Sequence, residues 1–259
     1  MSTPKILFLD VETAPLLGYV WQLWDQNVGL NQIHTDWNLL SWAAKWEGDT
    51  SVMYQDLRAF PKKDNDKPIL SRLWELLDEA DIIVTQNGKK FDEKKINARF
   101  IMQGFKPPSP FRHVDTLQLA KKRFGFTSNK LEYMSDKLCT KYKKLAHKMF
   151  PGFELWRECL ANNQAAWREM EKYNKHDVLA LEELYTKLAP WGTGVSLETY
   201  GDGPKQTCTC GGTSFVRRGF QYTKVGKYQQ LRCQGCGAWS RESENLLIPE
   251  KRKTIRRGA

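Results

Sequence analysis

Three groups of side chains in this sequence have the types and spacing for chemistry. Asp10 and Glu12 stand one residue apart at the end of the apolar run 6–9. Side chains alternate along a strand, so a strand here sets both carboxylates on one face. Such a pair offers oxygen ligands to a hard divalent cation such as Mg²⁺ or Mn²⁺. The plainer reading is a strand that ends in polar residues. Asp92 closes the turn Gln86-Asn87-Gly88-Lys89-Lys90-Phe91, just beyond the short apolar strand expected at 81–85. Ligand sites in sheets flanked by helices gather at the carboxyl ends of strands. Taken alone, Asp92 reads equally as a helix N-cap.

The third acidic position lies in the last long helix. Its apolar stripe, Trp167, Met170, Val178, Leu181, Leu184, Tyr185 and Leu188, also takes in Tyr173 and Asp177. A carboxylate on a packed helix face is expensive unless it is paired or ligates a cation. Four residues apart is one turn, so the Tyr173 phenol lies beside the Asp177 carboxylate. Tyr173 by itself also suits an ordinary core or boundary position.

The second kind of site is made of cysteines. Cys208-x-Cys210 and Cys233-x-x-Cys236 form two knuckles around a span, 215–232, with the pattern of a hairpin. Four thiolates suit a closed tetrahedral Zn²⁺ site, which supplies folding energy to a module with little core of its own. The pattern resembles a zinc ribbon, with one intervening residue in the first knuckle where two are usual. The hairpin interleaves Arg217, Arg218, Lys224 and Lys227 with Phe220, Tyr222 and Tyr228, a surface for phosphates and bases.

These residues need elements to position them. The pattern predicts a first strand at 6–13, then a hairpin of 39–46 with 51–54 turning at Gly48-Asp49, a three-stranded antiparallel unit. Helices follow at 69–77 and 92–103, around the strand at 81–85. A strand is expected at 111–114, with Asp115 capping the next helix and Gln118 completing a capping box. Helices at 131–138, 153–161 and 165–188 complete a mixed sheet with helices on its faces. The expected domains are 1–189, a glycine-rich linker at 190–204, a zinc ribbon at 205–245 and a basic tail at 246–259, the tail read as a disordered arm. Trp21, Trp24 and Trp37 suit either base stacking or core packing, and their size favours the core.

Asp10-x-Glu12, Asn87-x-x-x-Phe91-Asp92 and Tyr173-x-x-x-Asp177, in that order, resemble the DEDD superfamily of 3′-to-5′ exonucleases with a ribonuclease H-like fold. The resemblance covers about residues 1–189 and extends to phage-encoded members. It is to the tyrosine branch, because the histidine branch places its histidine where Lys172 stands. What it implies is a two-metal mechanism using Mg²⁺ or Mn²⁺ and releasing nucleoside 5′-monophosphates. Asp10 would bridge both ions, Glu12 and Asp177 would complete the first site, Asp92 would hold the second through water, and Tyr173 would orient the attacking water.

Charge points to the same partner. The chain carries a formal +10, and residues 205–259 hold twelve Lys/Arg against three Asp/Glu. That surplus belongs with a polyanion. No run approaches the roughly 20 apolar residues that cross a bilayer, and the clustered cysteines suit a reducing compartment. The expectation is therefore a cytoplasmic protein, in the host cytoplasm for a phage-encoded one, acting on nucleic acid, DNA ahead of RNA, in the company of replication or recombination proteins. A ribonuclease, a structure-specific endonuclease and a nucleic-acid-binding accessory protein that uses its zinc ribbon are the alternatives.

Overall fold

The run at 6–9 is buried on both faces and forms the centre of the sheet. The structure is a computed structural model and describes residues 4–145, 149–192, 195–201 and 206–256. In order, its elements are β1 Ile6–Thr13, β2 Leu17–Gly18, β3 Ile33–Thr35, β4 Leu39–Trp46, β5 Met53–Asp56, α1 Lys67–Glu79, β6 Ile82–Thr85, α2 Asp92–Met102 and β7 Arg112–Asp115. Then follow α3 Thr116–Arg123, α4 Leu131–Leu138, α5 Glu154–Leu160, α6 Gln164–Leu188, β8 Phe215–Thr223, β9 Gly226–Cys233, β10 Trp239–Arg241 and α7 Pro249–Thr254. The chain divides into two compact units, Pro4–Tyr185 and the chain from Thr186 onward.

The larger unit is a five-stranded mixed sheet in the order β5-β4-β1-β6-β7. β1 runs antiparallel to β4, and β4 to β5, while β6 and β7 add in parallel. This is the ribonuclease H-like arrangement expected from the sequence. The alternation of β1 sorts its side chains. Leu7, Leu9 and Val11 enter a core shared with Leu70, Leu73 and Leu77 of α1 and Ile96 and Phe100 of α2. Phe8 turns the other way and meets Tyr185 of α6 edge-on at 5.6 Å. Asp10 and Glu12 have the parity of Phe8, so they face the helical side that carries α6.

Two polar devices hold the elements around β1. Asp66, fully buried before α1, takes Arg99 Nε at 2.6 Å and Nη2 at 2.9 Å and also accepts from Leu39 N. This bidentate pair braces α2 against the start of β4. Asp115 caps α3 by accepting from Leu117 N and Gln118 N, and it also accepts from Asn87 N and Lys89 N. One carboxylate thus fastens the β6–α2 turn as well as a helix. Asn87 in that turn has φ +66, and a Cβ at Gly88 would strike the Thr85 side chain at 2.1 Å. Only glycine fits there.

Three features depart from expectation. Trp21 and Trp24 are not in the core: they are 95% and 80% exposed, on a segment that includes an unforeseen ribbon of β2 and β3. Trp37 is partly buried against the core, with Lys95 over its ring at 3.6 Å. The tail is not an open arm over its described part, where it forms α7, and Leu246 N bonds Lys227 O at 2.8 Å. A 3-10 turn at Ala189–Trp191 runs into the stretch read as a linker, and another at Leu197–Tyr200 lies inside it. Residues 193–194 and 202–204 of that stretch, the start of the small module at Lys205 and the end of the basic tail at Arg257 lie outside the described residues.

Arg99→Ala strands Asp66 as a buried, unpaired charge. It is expected to cost about 3–5 kcal/mol in urea unfolding, and pairing it with Asp66→Asn should recover part of that loss.

Candidate active site and cysteine centre

The sequence-predicted acids come together from three elements. Asp10 and Glu12 lie at the end of β1, Asp92 opens α2, and Tyr173 and Asp177 occupy one face of α6. The N-cap reading of Asp92 does not hold. Phe91 takes the cap position without a side-chain bond, and Asp92 Oδ1 instead accepts from Val11 N at 3.1 Å. That bond is available because β1 pairs with β6 only as far as Phe8, which leaves the following edge of β1 open to α2.

Each carboxylate is held by a protein donor. Asn174 Nδ2 donates to Asp10 Oδ2 at 2.6 Å, and Trp156 Nε1 to Glu12 Oε2 at 3.2 Å. Lys144 Nζ meets Asp177 Oδ2 at 2.5 Å and lies 4.7 Å from the Tyr173 ring centroid. The other Asp177 oxygen, Oδ1, is buried without a hydrogen-bond partner. Trp156 and Tyr173 meet edge-on at 6.3 Å. Asp10, Asp177 and Lys144 line a cavity of about 340 Å³ together with Gln86, Asn87, Leu117 and Asn129.

The site is electrostatically loaded. Burial, followed by the charges of Glu12, Asp92 and Asp177, holds the Asp10 carboxyl well above its ordinary range. Burial and Asp177 push Glu12 up to about 8. Burial raises Asp92 to about 7 against the hydrogen bond from Val11. Asp177 is raised by burial even though Lys144 opposes the shift. Burial and the nearby Asp177 charge also raise the Tyr173 phenol. Burial works against the Lys144 ammonium, but Asp177 and Tyr173 carry its value above the ordinary one.

Clustered carboxylates that resist ionising together, one of them with an orphaned buried oxygen, fit a divalent cation. Asp10, Glu12, Asp92 and Asp177 are the residues that would hold it.

Lys144, Asn174 and Trp156 were not singled out from the sequence. Asn174 carries a signal in the sequence, since it stands four residues from both Met170 and Val178 and so sets an amide on the apolar stripe of α6. Lys144 sits in a lysine-rich stretch with no periodicity, and Trp156 reads as an ordinary core residue.

In the smaller unit the Sγ atoms of Cys208, Cys210, Cys233 and Cys236 all lie within 4.8 Å of one another. Cys208 and Cys236 are 3.5 Å apart, Cys210 and Cys233 3.7 Å. Four Zn–S bonds of about 2.3 Å in a tetrahedron place sulfurs about 3.8 Å apart, so the quartet has the right size. The short first knuckle closes through a turn in which Gly211 has φ +78 and its N–H bonds Cys208 O. A Cβ at Gly212 would come within 3.2 Å of Cys210 Sγ, so this cradle is kept open by glycine. Burial opposes the Cys233 thiolate, yet N–H groups of Cys236 and Gly235 bring it down to about 7. Burial lifts Cys236 to about 12. Among the described residues this quartet is the one group of such side chains gathered so tightly.

Residues 27–189 match the RNase H superfamily, and the chain belongs to that superfamily. The match begins beyond Asp10 and Glu12 and takes in Asp92, Tyr173 and Asp177. The fold is similar to the solved family B DNA polymerase of the hyperthermophilic archaeon Pyrobaculum calidifontis, at 17% identity and a TM-score of 0.52. That similarity covers 73% of this chain and 25% of the polymerase, so the chain corresponds to about a quarter of that protein. Comparison with curated proteins found no match. Among the described residues, no helix is long and apolar enough to cross a membrane.

Two measurements check these sites. Carboxyls held near 7 and 8 in the fold stay protonated where their unfolded counterparts, near 4, have ionised. Between those values the folded chain binds more protons, so stability falls as pH rises from about 5 to 8. Tm without divalent cation should drop over that range, Asp92→Asn should flatten the drop, and Mn²⁺ should raise Tm more at pH 8 than at pH 5. Metal analysis should find one zinc per chain, lost in Cys210→Ser.

Proposed function

We propose that this chain is a divalent-metal-dependent 3′-to-5′ exonuclease that hydrolyses phosphodiester bonds of single-stranded DNA and releases nucleoside 5′-monophosphates. Its catalytic domain would be residues 1–189, joined by a linker at 190–204 to a zinc ribbon at 205–245 and a basic tail at 246–259. The reading is carried by one observation: Asp10, Glu12, Asp92 and Asp177 meet at the open end of β1 with the Tyr173 phenol beside them. Superfamily membership supports nuclease chemistry. DNA is favoured over RNA because the solved structure of similar fold is a DNA polymerase.

In this reading Asp10, Glu12, Asp92 and Asp177 would together hold two divalent ions. Such ions, when bound, supply an acidified water and neutralise charge on the scissile phosphate. The chain's own residues do the rest. Tyr173, its phenol held above the ordinary value by burial, stays protonated at neutral pH and orients the water by hydrogen bonding. Asn174 aims Asp10, and Trp156 aims Glu12. Lys144 keeps a fixed positive charge at an otherwise acidic site that must admit a polyanion.

The zinc ribbon retains substrate. Lys227 lies 3.9 Å from the Phe220 ring centroid and Arg241 3.9 Å from that of Tyr228, while Tyr222 and Trp239 are exposed. Cations and rings so interleaved neutralise phosphates and stack on bases of any sequence.

A second reading, a nucleic-acid-binding accessory protein, draws on the Lys144–Asp177 ion pair, which balances one acid from within the protein.

The deciding experiment digests 5′-labelled single-stranded DNA and RNA of one sequence with Mg²⁺ or Mn²⁺. The expected result is a DNA ladder shortening from the 3′ end, slowed at least about a hundredfold in Asp177→Ala. Internal cuts would favour an endonuclease, and a band shift without any cutting would favour the accessory protein.

A further inference from the structure

The segment between β1 and β4 departs most from ordinary packing. Within residues 16–30, Leu16, Leu17, Tyr19, Trp21, Leu23 and Trp24 are all exposed. Exposed apolar surface gathered in this way marks an interaction site. The segment nevertheless has a held shape. Leu17 pairs with Thr35 and Gly18 with Ile33, and Tyr19 N donates to Gln32 O at 2.9 Å. Gln32 returns its amide to Tyr19 O, and Gln26 donates to Trp24 O at 2.8 Å across a turn where Asp25 has φ +54. Tyr19 meets His34 edge-on at 5.8 Å. At the base, Ala14 N bonds Asn38 O.

Its position identifies what it grips. Two residues, Ala14 and Pro15, separate the end of β1 from Leu16, and three, Asp36 to Asn38, separate β3 from β4. β1 and β4 are partners at the acidic end itself, with Asp10 opposite Ala43 and Glu12 opposite Ser41. Both roots of the arm therefore lie at the carboxylate site. The arm is also poor in acid, with Asp25 its one formal charge over residues 16–30. At its second root the Lys95 ammonium lies over Trp37 at 3.6 Å. Projecting rings, a cation at the base and a phosphodiester site alongside have the make-up of a single-strand platform, where rings stack on bases and cations meet the backbone.

We infer that this arm is a base-stacking grip on the single-stranded 3′ end, with Trp21 and Trp24 as its stacking rings. The inference rests on the nuclease reading and names the feature of the substrate that the same site engages: unpaired bases, gripped whatever their sequence.

The test uses the full chain and separates binding from cleavage. A 5′-fluorescein dT12 oligonucleotide and an abasic oligonucleotide of equal length are titrated in EDTA against wild type, Trp21→Ala, Trp24→Ala, the double variant and Trp21→Phe. Each alanine should weaken dT12 binding about fivefold or more, and Trp21→Phe should recover most of the loss. The abasic strand should bind wild type and variants alike. With Mn²⁺ in place of EDTA, hydrolysis of dT12 by each alanine variant should show a KM raised by about the same factor as the loss in binding. Equal dT12 affinity for the double variant and wild type overturns the inference, as does equal weakening on the abasic strand. Unchanged dT12 binding with a shifted sedimentation coefficient would instead assign the arm to protein contact and overturn it likewise. Ring-dependent dT12 binding without hydrolysis of any substrate would sustain the grip and remove the nuclease reading.

Discussion

Four carboxylates at one strand end repel one another and resist leaving water, and much of the surrounding architecture responds to that constraint. Each acid is tied to a protein donor from a different place: a helix amide for Asp10, an indole for Glu12, a strand N–H for Asp92 and an ammonium for Asp177. Their carboxyl values still stand above the ordinary range, so these ties do not discharge the cluster. The remaining imbalance is what makes a cation welcome there.

The cysteine quartet meets a related problem by other means. Among the described residues of the ribbon, Cys208, Cys233 and Ala238 form a small cluster with Phe215 packed against it, and Leu231 is also buried. So small an apolar cluster offsets little of the entropy of ordering a three-stranded sheet, and metal bound by the four thiols would supply the difference. Acids and thiols thus divide two roles between the units. On the proposed function, the first would keep electrostatic strain for chemistry and the second would spend ligation on folding.

Much of this is legible in the sequence alone. β4 and α4 run where the apolar patterns place them, and the buried face of α6 carries Tyr173 and Asp177 as its stripe requires. Period and parity are local properties that a sequence states directly. What escaped was longer in range. Arg99 and Asp66 are 33 residues apart, Asp10 and Asn174 164 apart, and nothing local announces either partnership. Asp92 reads equally as a cap or a ligand because both use the same residue in the same place, and the open edge of β1, which takes its carboxylate, removes the cap. Trp21 and Trp24 were misplaced for a different reason. Burial is the usual fate of a tryptophan, and a ribbon of two short strands gives too weak a pattern to overrule it.

Asp115 carries one further implication. Asn87 N and Leu117 N, from two different walls of the cavity beside Asp10, both rest on its Oδ1, each at 3.0 Å. The two segments are therefore held to each other through one carboxylate oxygen, two hydrogen bonds apart. Separating them costs one of those bonds, whereas the facing lining residues Lys144 and Asp177 are joined across separate segments by an ion pair alone.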